Sequence, residues 1–212
     1  MKKQLLALLL LASLLSAVLT GCGDGSAEQT PEDRAQANTI NVGIAQDLDE
    51  SLDPHKTVKA GTREVMFNVF EGLMKPTSNG DLTPAVAESY TVSDDHRTYT
   101  FTLREGVKFH NGDAVTAEDV IYSIQRCIAP AETGIVPVEA FSIITDIQAL
   151  DERTVAITIS EPSNEFISYL TTAILPADYE EQDTAPVGTG PFRFVSRTAQ
   201  DSIVLEKFDE YW

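Results

Sequence analysis

The stretch from Ala87 to Val120 constrains the fold of this chain more than any other part, because all of its local signals agree. Ala87–Val92 and Arg97–Leu103 both alternate apolar and polar residues, which is the period of half-buried strands. The link between them, Ser93–His96, has the composition of a turn. These features together predict a β-hairpin.

A second turn and a helix follow the hairpin. Asn111-Gly112-Asp113 has turn chemistry, and Thr116 stands three residues before Asp119. That spacing resembles a capping box and marks the start of a helix. The predicted helix carries its apolar residues at Val120, Ile121 and Ile124.

The same stretch resembles the signature region of extracellular solute-binding proteins from peptide- and nickel-type ABC importers. The likeness lies in AESYTVSDDHRTYTFTLREGVKFHNGD and in TAEDV, and it includes turn residues, aromatic residues and charges. An unrelated hairpin followed by a helix is the alternative, since a short motif carries a false-positive risk. Further segments resemble the family's landmarks in the same order: Ser51–Lys56, Phe70–Pro76, Ala173–Tyr179, Pro186–Phe192 and Ile203–Trp212.

The resemblance implies an α+β fold of the periplasmic-binding-protein type II, in its peptide-binding cluster. Members have two lobes that close on a ligand, and the first lobe carries an extra subdomain. Residues 39–60 would then begin lobe I, residues 61–186 would form the extra β-rich subdomain, and residues 187–212 would return into lobe I. We expect the second lobe to be absent from this chain, and a single wall to bind solute very weakly.

The remaining sequence patterns also mix helices with hairpins, which is typical of α+β proteins. Alternating or helical spacing of apolar residues predicts the further elements. These are a strand at Thr39–Gln46, a helix at Thr62–Leu73, a hairpin of Phe141–Leu150 with Thr154–Ser160, a short helix at Asn164–Thr172, and a hairpin of Phe192–Ser196 with Ser202–Lys207.

The N-terminus has the pattern of a bacterial lipoprotein signal peptide over residues 1–21. Two lysines precede an apolar run at Leu5–Leu19, which is too short and wrongly flanked for a stable transmembrane helix. The run ends in Leu19-Thr20-Gly21-Cys22, which resembles a lipobox with Cys22 as the lipidated residue. An ordinary signal peptide with an incidental cysteine is the alternative. Residues 22–38 are small and polar, and we expect a flexible tether to the outer face of the cell membrane.

The acidic composition excludes several kinds of partner. A formal charge of −18 argues against nucleic acid, which requires basic patches, and against electrostatic binding to anionic lipid. The chain has two cysteines, Cys22 and Cys127. If Cys22 is acylated, Cys127 has no disulfide partner, and we expect it to be a small buried hydrophobic residue.

In peptide-binding relatives, the segment just before the LDPH-like motif lines the cleft and pairs with the ligand backbone. Carried over to this chain, that segment is Leu48, Asp49 and Glu50. Backbone groups bind any peptide, which gives broad selectivity. The alternative is an acidic surface loop. For a cationic ligand, Asp47, Asp49 and Glu50 would also supply charge. His55 lies in the LDPHK motif with no second histidine at metal-site spacing, so we predict neither a metal nor a cofactor.

The leading hypothesis is therefore a monomeric, lipid-anchored receptor that delivers dipeptides or oligopeptides to an ABC permease. The second is a receptor of the same fold for nickel or another small solute. The third is a surface lipoprotein that binds no ligand. The sequence contains no GxSxG, Walker, HExxH or CxxC motif, so we do not expect an enzyme.

Overall fold

The computed structural model describes residues 38–128, 130 and 134–212. The chain divides into two units, Met1–Gly43 and Ile44–Trp212, and every helix and strand of the described residues belongs to the second. Among the described residues, no helix has the length and apolar character needed to cross a membrane. The predicted signal peptide, Cys22 and nearly all of the predicted tether lie outside the described residues.

The second unit combines short helices with antiparallel strands, as the sequence predicts. The elements in chain order are α1 (Ala60–Met66), β1 (Met74–Pro76), β2 (Leu82–Pro84), β3 (Ala87–Val92), β4 (Thr98–Leu103), α2 (Ala117–Ile128), a 3₁₀-helix (Glu139–Ile143), β5 (Ile144–Asp151), β6 (Thr154–Ile159), α3 (Phe166–Tyr169), β7 (Phe192–Thr198) and β8 (Ser202–Lys207).

A four-stranded antiparallel sheet, in the order β3-β4-β6-β5, forms the main framework. Its central strands alternate buried and half-exposed residues, so that one face of the sheet enters the core. Phe101 of β4 lies opposite Val155 of β6, and both are fully buried. The predicted β3–β4 hairpin is confirmed, and the Ser93 N–H closes its turn on the Thr98 carbonyl at 2.9 Å.

Helix α2 packs on this sheet and begins where the sequence predicts. The Thr116 N–H and hydroxyl donate to Asp119 Oδ2 at 2.9 and 2.8 Å, which confirms the capping interaction. Asp119 Oδ1 also accepts the Ala177 N–H at 2.9 Å, so the cap holds a distant loop as well. Cys127 is buried on this helix, as predicted.

Two groups of buried apolar residues make up the core. The larger cluster contains only residues between Leu73 and Ile174, and most come from the sheet, α2 and α3. The smaller cluster is formed by Leu48, Leu52, Met66, Val69, Phe70 and Leu175, and the β7–β8 ribbon packs against it with Phe194, Ile203 and Leu205.

The segment Pro186–Pro191 fits tightly against the residues that follow α1. A Cβ at Gly188 would lie 2.2 Å from the Val69 carbonyl oxygen, and one at Gly190 would lie 2.5 Å from the Asn68 oxygen. Only glycine allows so close an approach of two backbones. These two glycines therefore allow the close packing of the two segments.

Three sequence predictions differ from the structure. Thr39–Gln46 is not a strand, because alternation supplies a face but no partner strand pairs with it among the described residues. The predicted helix at Thr62–Leu73 ends at Met66, where the Asn68 side-chain amide donates to the Glu64 and Val65 carbonyls. The short helix predicted at Asn164–Thr172 covers only Phe166–Tyr169.

Candidate ligand-binding site

The three predicted ligand-binding residues lie in different environments. The Leu48 side chain is 4% exposed and packs in the smaller cluster, so it anchors the segment. The Asp49 carboxylate accepts the Val58 and Lys59 N–H groups at 3.2 and 2.9 Å, just before α1. Glu50 is exposed, and its side chain makes no hydrogen bond or ion pair within the described residues. Of the three side chains, that of Glu50 therefore faces solvent most openly.

The backbone of Leu48–Glu50 is held by Arg197, which lies far along the chain on β7. The Arg197 guanidinium donates to the Asp49 carbonyl at 2.5 Å and to the Leu48 carbonyl at 3.3 Å. It also forms an ion pair with Asp47 at 3.4 Å. Lys59 Nζ adds a second bond to the Leu48 carbonyl at 3.0 Å. The conformation of this segment is thus fixed before any ligand arrives.

The charges around the segment keep its carboxylates ionised. Partial burial alone would raise the pKa of Asp49, but the Lys59 N–H, the Thr62 hydroxyl and the Val58 N–H lower it overall. The pKa of Asp47 is lowered as well: desolvation acts to raise it, but hydrogen bonds and the Arg197 charge prevail. Two negative charges therefore remain beside this backbone at neutral pH.

A buried ion pair next to this segment involves Asp53 of the LDPHK motif, residues 52–56. Arg126 of α2 donates to both Asp53 oxygens, at 3.0 and 2.6 Å, and both side chains are almost fully buried. Arg126 also contacts His55 Nδ1 at 3.2 Å, while His55 Nε2 lies 2.9 Å from the Ala173 carbonyl. Nδ1 therefore accepts and Nε2 donates, which defines a neutral His55 that positions the loop.

The described residues contain no group of three or more histidine, cysteine, aspartate and glutamate side chains that could hold a metal ion. His55 uses both ring nitrogens in the contacts around Arg126 and Ala173. His110 is engaged in the same way with Gly188 and Gly190. These two histidines therefore have structural partners in the fold.

An apolar cavity of about 250 Å³ lies along α1, and the sequence patterns did not predict it. Its walls come from α1, the LDPHK loop, the end of α2 and the loop before the 3₁₀-helix. The sequence gives one indication of this cavity, the apolar residue Phe67, which lies one helical turn after Arg63. The residues that shape the cavity include His55, Arg63, Met66, Phe67, Phe70 and Val136.

Backbone hydrogen bonds build the outer wall of this cavity. The Val136 N–H donates to the His55 carbonyl at 2.8 Å, and the Val138 N–H donates to the Cys127 carbonyl at 3.1 Å. Cys127 also lines the cavity, and burial raises the pKa of its thiol to about 12. The thiol is therefore protonated and a poor nucleophile. The cavity is a preformed apolar space with no reactive group supplied by Cys127.

Two further segments that resemble family landmarks meet at Glu71. Its carboxylate accepts from Lys75 Nζ at 3.0 Å, from the Tyr211 hydroxyl at 2.8 Å and from Trp212 Nε1 at 3.1 Å. The Lys75 ammonium and the Arg104 guanidinium both lie over the Trp212 ring, at 4.4 and 4.2 Å from its centroid. Hydrogen bonds and cation–π contacts thus join FEGLMKP to the DEYW residues.

Comparison with known proteins identifies the family. Residues 81–212 match the model of the bacterial extracellular solute-binding proteins, family 5 Middle. This match covers more than half of the chain. The protein therefore belongs to family 5 of the bacterial extracellular solute-binding proteins, in agreement with the resemblance found in the sequence.

Individual relatives and solved structures are similar over most of this chain. The dipeptide-binding protein DppE of Bacillus subtilis is 31% identical over 231 residues, and the glutathione-binding protein GsiB of Pectobacterium atrosepticum is 34% identical over 170 residues. The structure of AgaA from A. tumefaciens R10, in complex with agropinic acid, is 36% identical with a TM-score of 0.69. The alignments cover 95%, 76% and 76% of this chain, but only 42%, 33% and 34% of the respective relatives.

The chain thus spans well under half the length of these relatives, and the relatives are binding proteins rather than enzymes by name. Their fold confirms the α+β, periplasmic-binding-protein-like architecture expected from the sequence. The domain boundaries and the ligand contacts of this chain stay predictions.

Proposed function

We propose that this chain belongs to a lipid-anchored receptor that captures dipeptides or oligopeptides for an ABC permease. The observation that carries the proposal is the braced backbone at Leu48–Glu50, in a protein of the solute-binding family. The dipeptide-binding relative DppE supports the choice of peptide as ligand. Monomeric action, as the sequence predicts, is part of the same proposal.

The physical basis of the proposal is preorganisation. A loop already held in its bound shape loses little conformational entropy when a ligand binds, so more of the interaction energy appears as affinity. Arg197 and Lys59 supply this restraint through the carbonyls of Leu48 and Asp49. The polar backbone of the segment pairs with peptides of any sequence, while the ionised Asp47 and Asp49 favour a cationic group such as a peptide α-amine.

The test is to loosen the segment without touching its own residues. Arg197→Met removes the guanidinium that holds the Leu48 and Asp49 carbonyls, whereas Arg193→Met on the same strand removes a surface ion pair with Glu206 and no contact to that segment. Peptide binding to each protein is measured by ligand-observed NMR, which detects affinities from micromolar to millimolar. We expect Arg197→Met to weaken peptide binding about tenfold, and Arg193→Met to leave it unchanged.

The outcome separates the three hypotheses from the sequence. Since we expect a single wall to bind solute very weakly, peptides are titrated to millimolar concentrations, and absence of binding there would overturn the peptide proposal. A second candidate, an organic solute that is not a peptide, is favoured by the likeness to AgaA in complex with agropinic acid. Binding of such a solute, without peptide binding, would favour that candidate. Equal peptide binding by Arg197→Met and Arg193→Met would show that the Leu48–Glu50 segment is not part of the binding site.

The anchor is a separate part of the proposal and has its own test. Acylation of Cys22 would tether the protein on the outer face of the membrane, and two or more acyl chains give stable anchoring. Mass spectrometry of membrane-extracted protein is expected to show an acylated N-terminal Cys22, and Cys22→Ser is expected to appear in the soluble fraction. An unprocessed wild-type protein would contradict the anchor without affecting the ligand proposal.

A further inference from the structure

Arg63 of α1 differs from Lys56 of the LDPHK loop and from Arg126 of α2 in its ion pairing. Lys56 is paired with Asp183 at 2.9 Å, and Arg126 is paired with Asp53 at 2.6 Å. Arg63 lines the cavity, yet no carboxylate among the described residues forms an ion pair with it. In a chain with a formal charge of −18, an arginine without an acidic partner at a cavity is conspicuous.

The position of the Arg63 guanidinium is set by its backbone contact. Arg63 Nε donates to the Thr57 carbonyl at 3.2 Å, which holds one edge of the guanidinium. The terminal nitrogens make no hydrogen bond within the described part of the chain. An arginine fork with its terminal donors available matches the geometry of a carboxylate, which accepts two parallel N–H bonds.

The rest of the cavity is apolar and partly open. Phe67 is 59% exposed and Val136 is 40% exposed, while the deeper wall includes the buried Met66 and Phe70. Large apolar side chains exposed at a cavity favour the binding of an apolar group. At about 250 Å³, the space is slightly below the roughly 300–1,000 Å³ of common small-molecule sites, so it suits one apolar side chain.

We propose that this cavity is a subsite for a carboxylate attached to an apolar side chain, as at the C-terminal residue of a peptide. Arg63 pairs with the carboxylate, and the apolar side chain enters between Phe67 and Val136. This subsite rests on the proposed solute-receptor function and narrows its ligands to acids with an apolar terminal group. Because hydrogen bonds already hold the wall at Val136 and Val138, the subsite is formed without ligand.

The test compares one apolar group with and without its charge. N-acetyl-L-phenylalanine carries both features of the predicted occupant, its amide lacks the charge, and acetate lacks the apolar group. Binding of each to the full chain is measured by ligand-observed NMR. We expect the acid to bind about tenfold more tightly than the amide, and acetate to bind more weakly than the acid.

Two variants locate the effect. Arg63→Gln removes the charge at an exposed helix position and is expected to abolish the preference for acid over amide. Arg97→Gln removes the same charge from the β3–β4 turn, where Arg97 pairs with Asp95, and is expected to keep the preference. Thermal melting of both variants checks that they fold, and Arg63→Lys tests whether a point charge replaces the fork.

Equal affinity for acid and amide in the unmodified chain would overturn the subsite, as would a preference that survives Arg63→Gln. The result is independent of the peptide-binding test with Arg197→Met. If peptides bind but peptide acids and peptide amides bind equally, the receptor proposal stands and the subsite fails. If N-acetyl-L-phenylalanine binds through Arg63 but no peptide binds, the cavity is an acid site and the peptide proposal fails.

Discussion

The larger and the smaller cluster are assembled in different ways. The larger cluster draws its residues from one stretch, between Leu73 and Ile174, in which hairpins and α2 follow one another along the chain. The smaller cluster joins Leu48 and Leu52 to Phe70 and Leu175, and its outer side is covered by the β7–β8 ribbon. The larger cluster is thus assembled within one continuous stretch of the chain, whereas the smaller cluster joins segments that lie on either side of that stretch.

The two clusters also differ in what holds them together. The larger cluster fully buries several aromatic rings, including Phe101, Phe141 and Phe166, so apolar burial provides its stability. Around the smaller cluster, the Asp53–Arg126 pair and the Arg197 contacts link the segments. Polar contacts demand specific geometry, and the predicted binding segment lies where they are concentrated. A framework stabilised by apolar burial is therefore distinct from a region whose shape depends on specific polar contacts.

The largest expected effect is in the framework. Phe101 lies at the centre of the sheet with no exposed surface, so Phe101→Ala leaves a cavity in the larger cluster. We expect the free energy of unfolding to fall by about 3–5 kcal/mol. Urea denaturation measures this loss, with Thr100→Ala on the opposite face of the same strand as the control. A loss below about 1 kcal/mol for Phe101→Ala would mean that the sheet does not carry the main core.

A slightly smaller effect is expected from the polar links. Asp53→Asn removes the Asp53 carboxylate that pairs with the buried Arg126, and we expect a loss of about 3 kcal/mol. Asp183→Asn, at a half-exposed position paired with Lys56, is expected to cost well under half as much. The double variant Asp53→Asn with Arg126→Met removes both charges and is expected to recover part of the loss. No recovery would show that the pair does not act as a unit.

The sequence predicts the framework well because its signals are local. Alternation over β3 and β4, the turn at Ser93–His96 and the cap at Thr116 each require only a few neighbouring residues, and all three agree with the structure. The same approach fails at Thr39–Gln46. There the alternation is equally clear, but a strand also needs a partner, and a partner is not encoded in the strand itself.

The candidate site was only partly predictable for the same reason. The resemblance identifies Leu48–Glu50, but a pattern of three residues does not reveal that Leu48 faces the core or that Arg197 holds the backbone. Met66, Val69 and Phe70 pack in the smaller cluster, although they lie within the predicted subdomain at 61–186. Helical spacing shows which face is buried, but it cannot show which of two cores receives that face.

Leu48→Ala tests the position of Leu48 in the smaller cluster. If the side chain is an anchor, as its burial indicates, the variant loses about 2 kcal/mol of unfolding free energy, at the low end for a buried leucine. Glu50→Ala is the matched control, because Glu50 is exposed in the same segment. We expect no measurable loss from it in urea denaturation. Unchanged stability of Leu48→Ala would mean that the Leu48 side chain is not an anchor and is available to contact a ligand.

The smallest expected effect is a pH dependence at the junction between the two regions. His110 Nδ1 accepts the Gly188 N–H at 3.3 Å, and its Nε2 lies 2.9 Å from the Gly190 carbonyl, so the contacts require a neutral ring. Burial of the ring holds the pKa of His110 below its ordinary value. The folded state therefore resists protonation more than the unfolded state does. Its contribution is complete above the unfolded pKa of about 6.5 and is lost as pH falls through the folded pKa.

The change is measured as the difference in unfolding free energy between about pH 7.5 and about pH 5.5, a range in which ordinary carboxylates stay largely ionised. We expect this difference to be smaller in His110→Asn than in the unmodified protein. His96→Asn replaces an exposed histidine at φ 55°, a backbone conformation that asparagine tolerates, and should leave the difference unchanged. An identical pH dependence in all three proteins would mean that protonation of His110 does not weaken the turn at Gly188–Gly190. The junction would then depend on close backbone packing alone, because a Cβ at either glycine would meet the backbone of Asn68 or Val69.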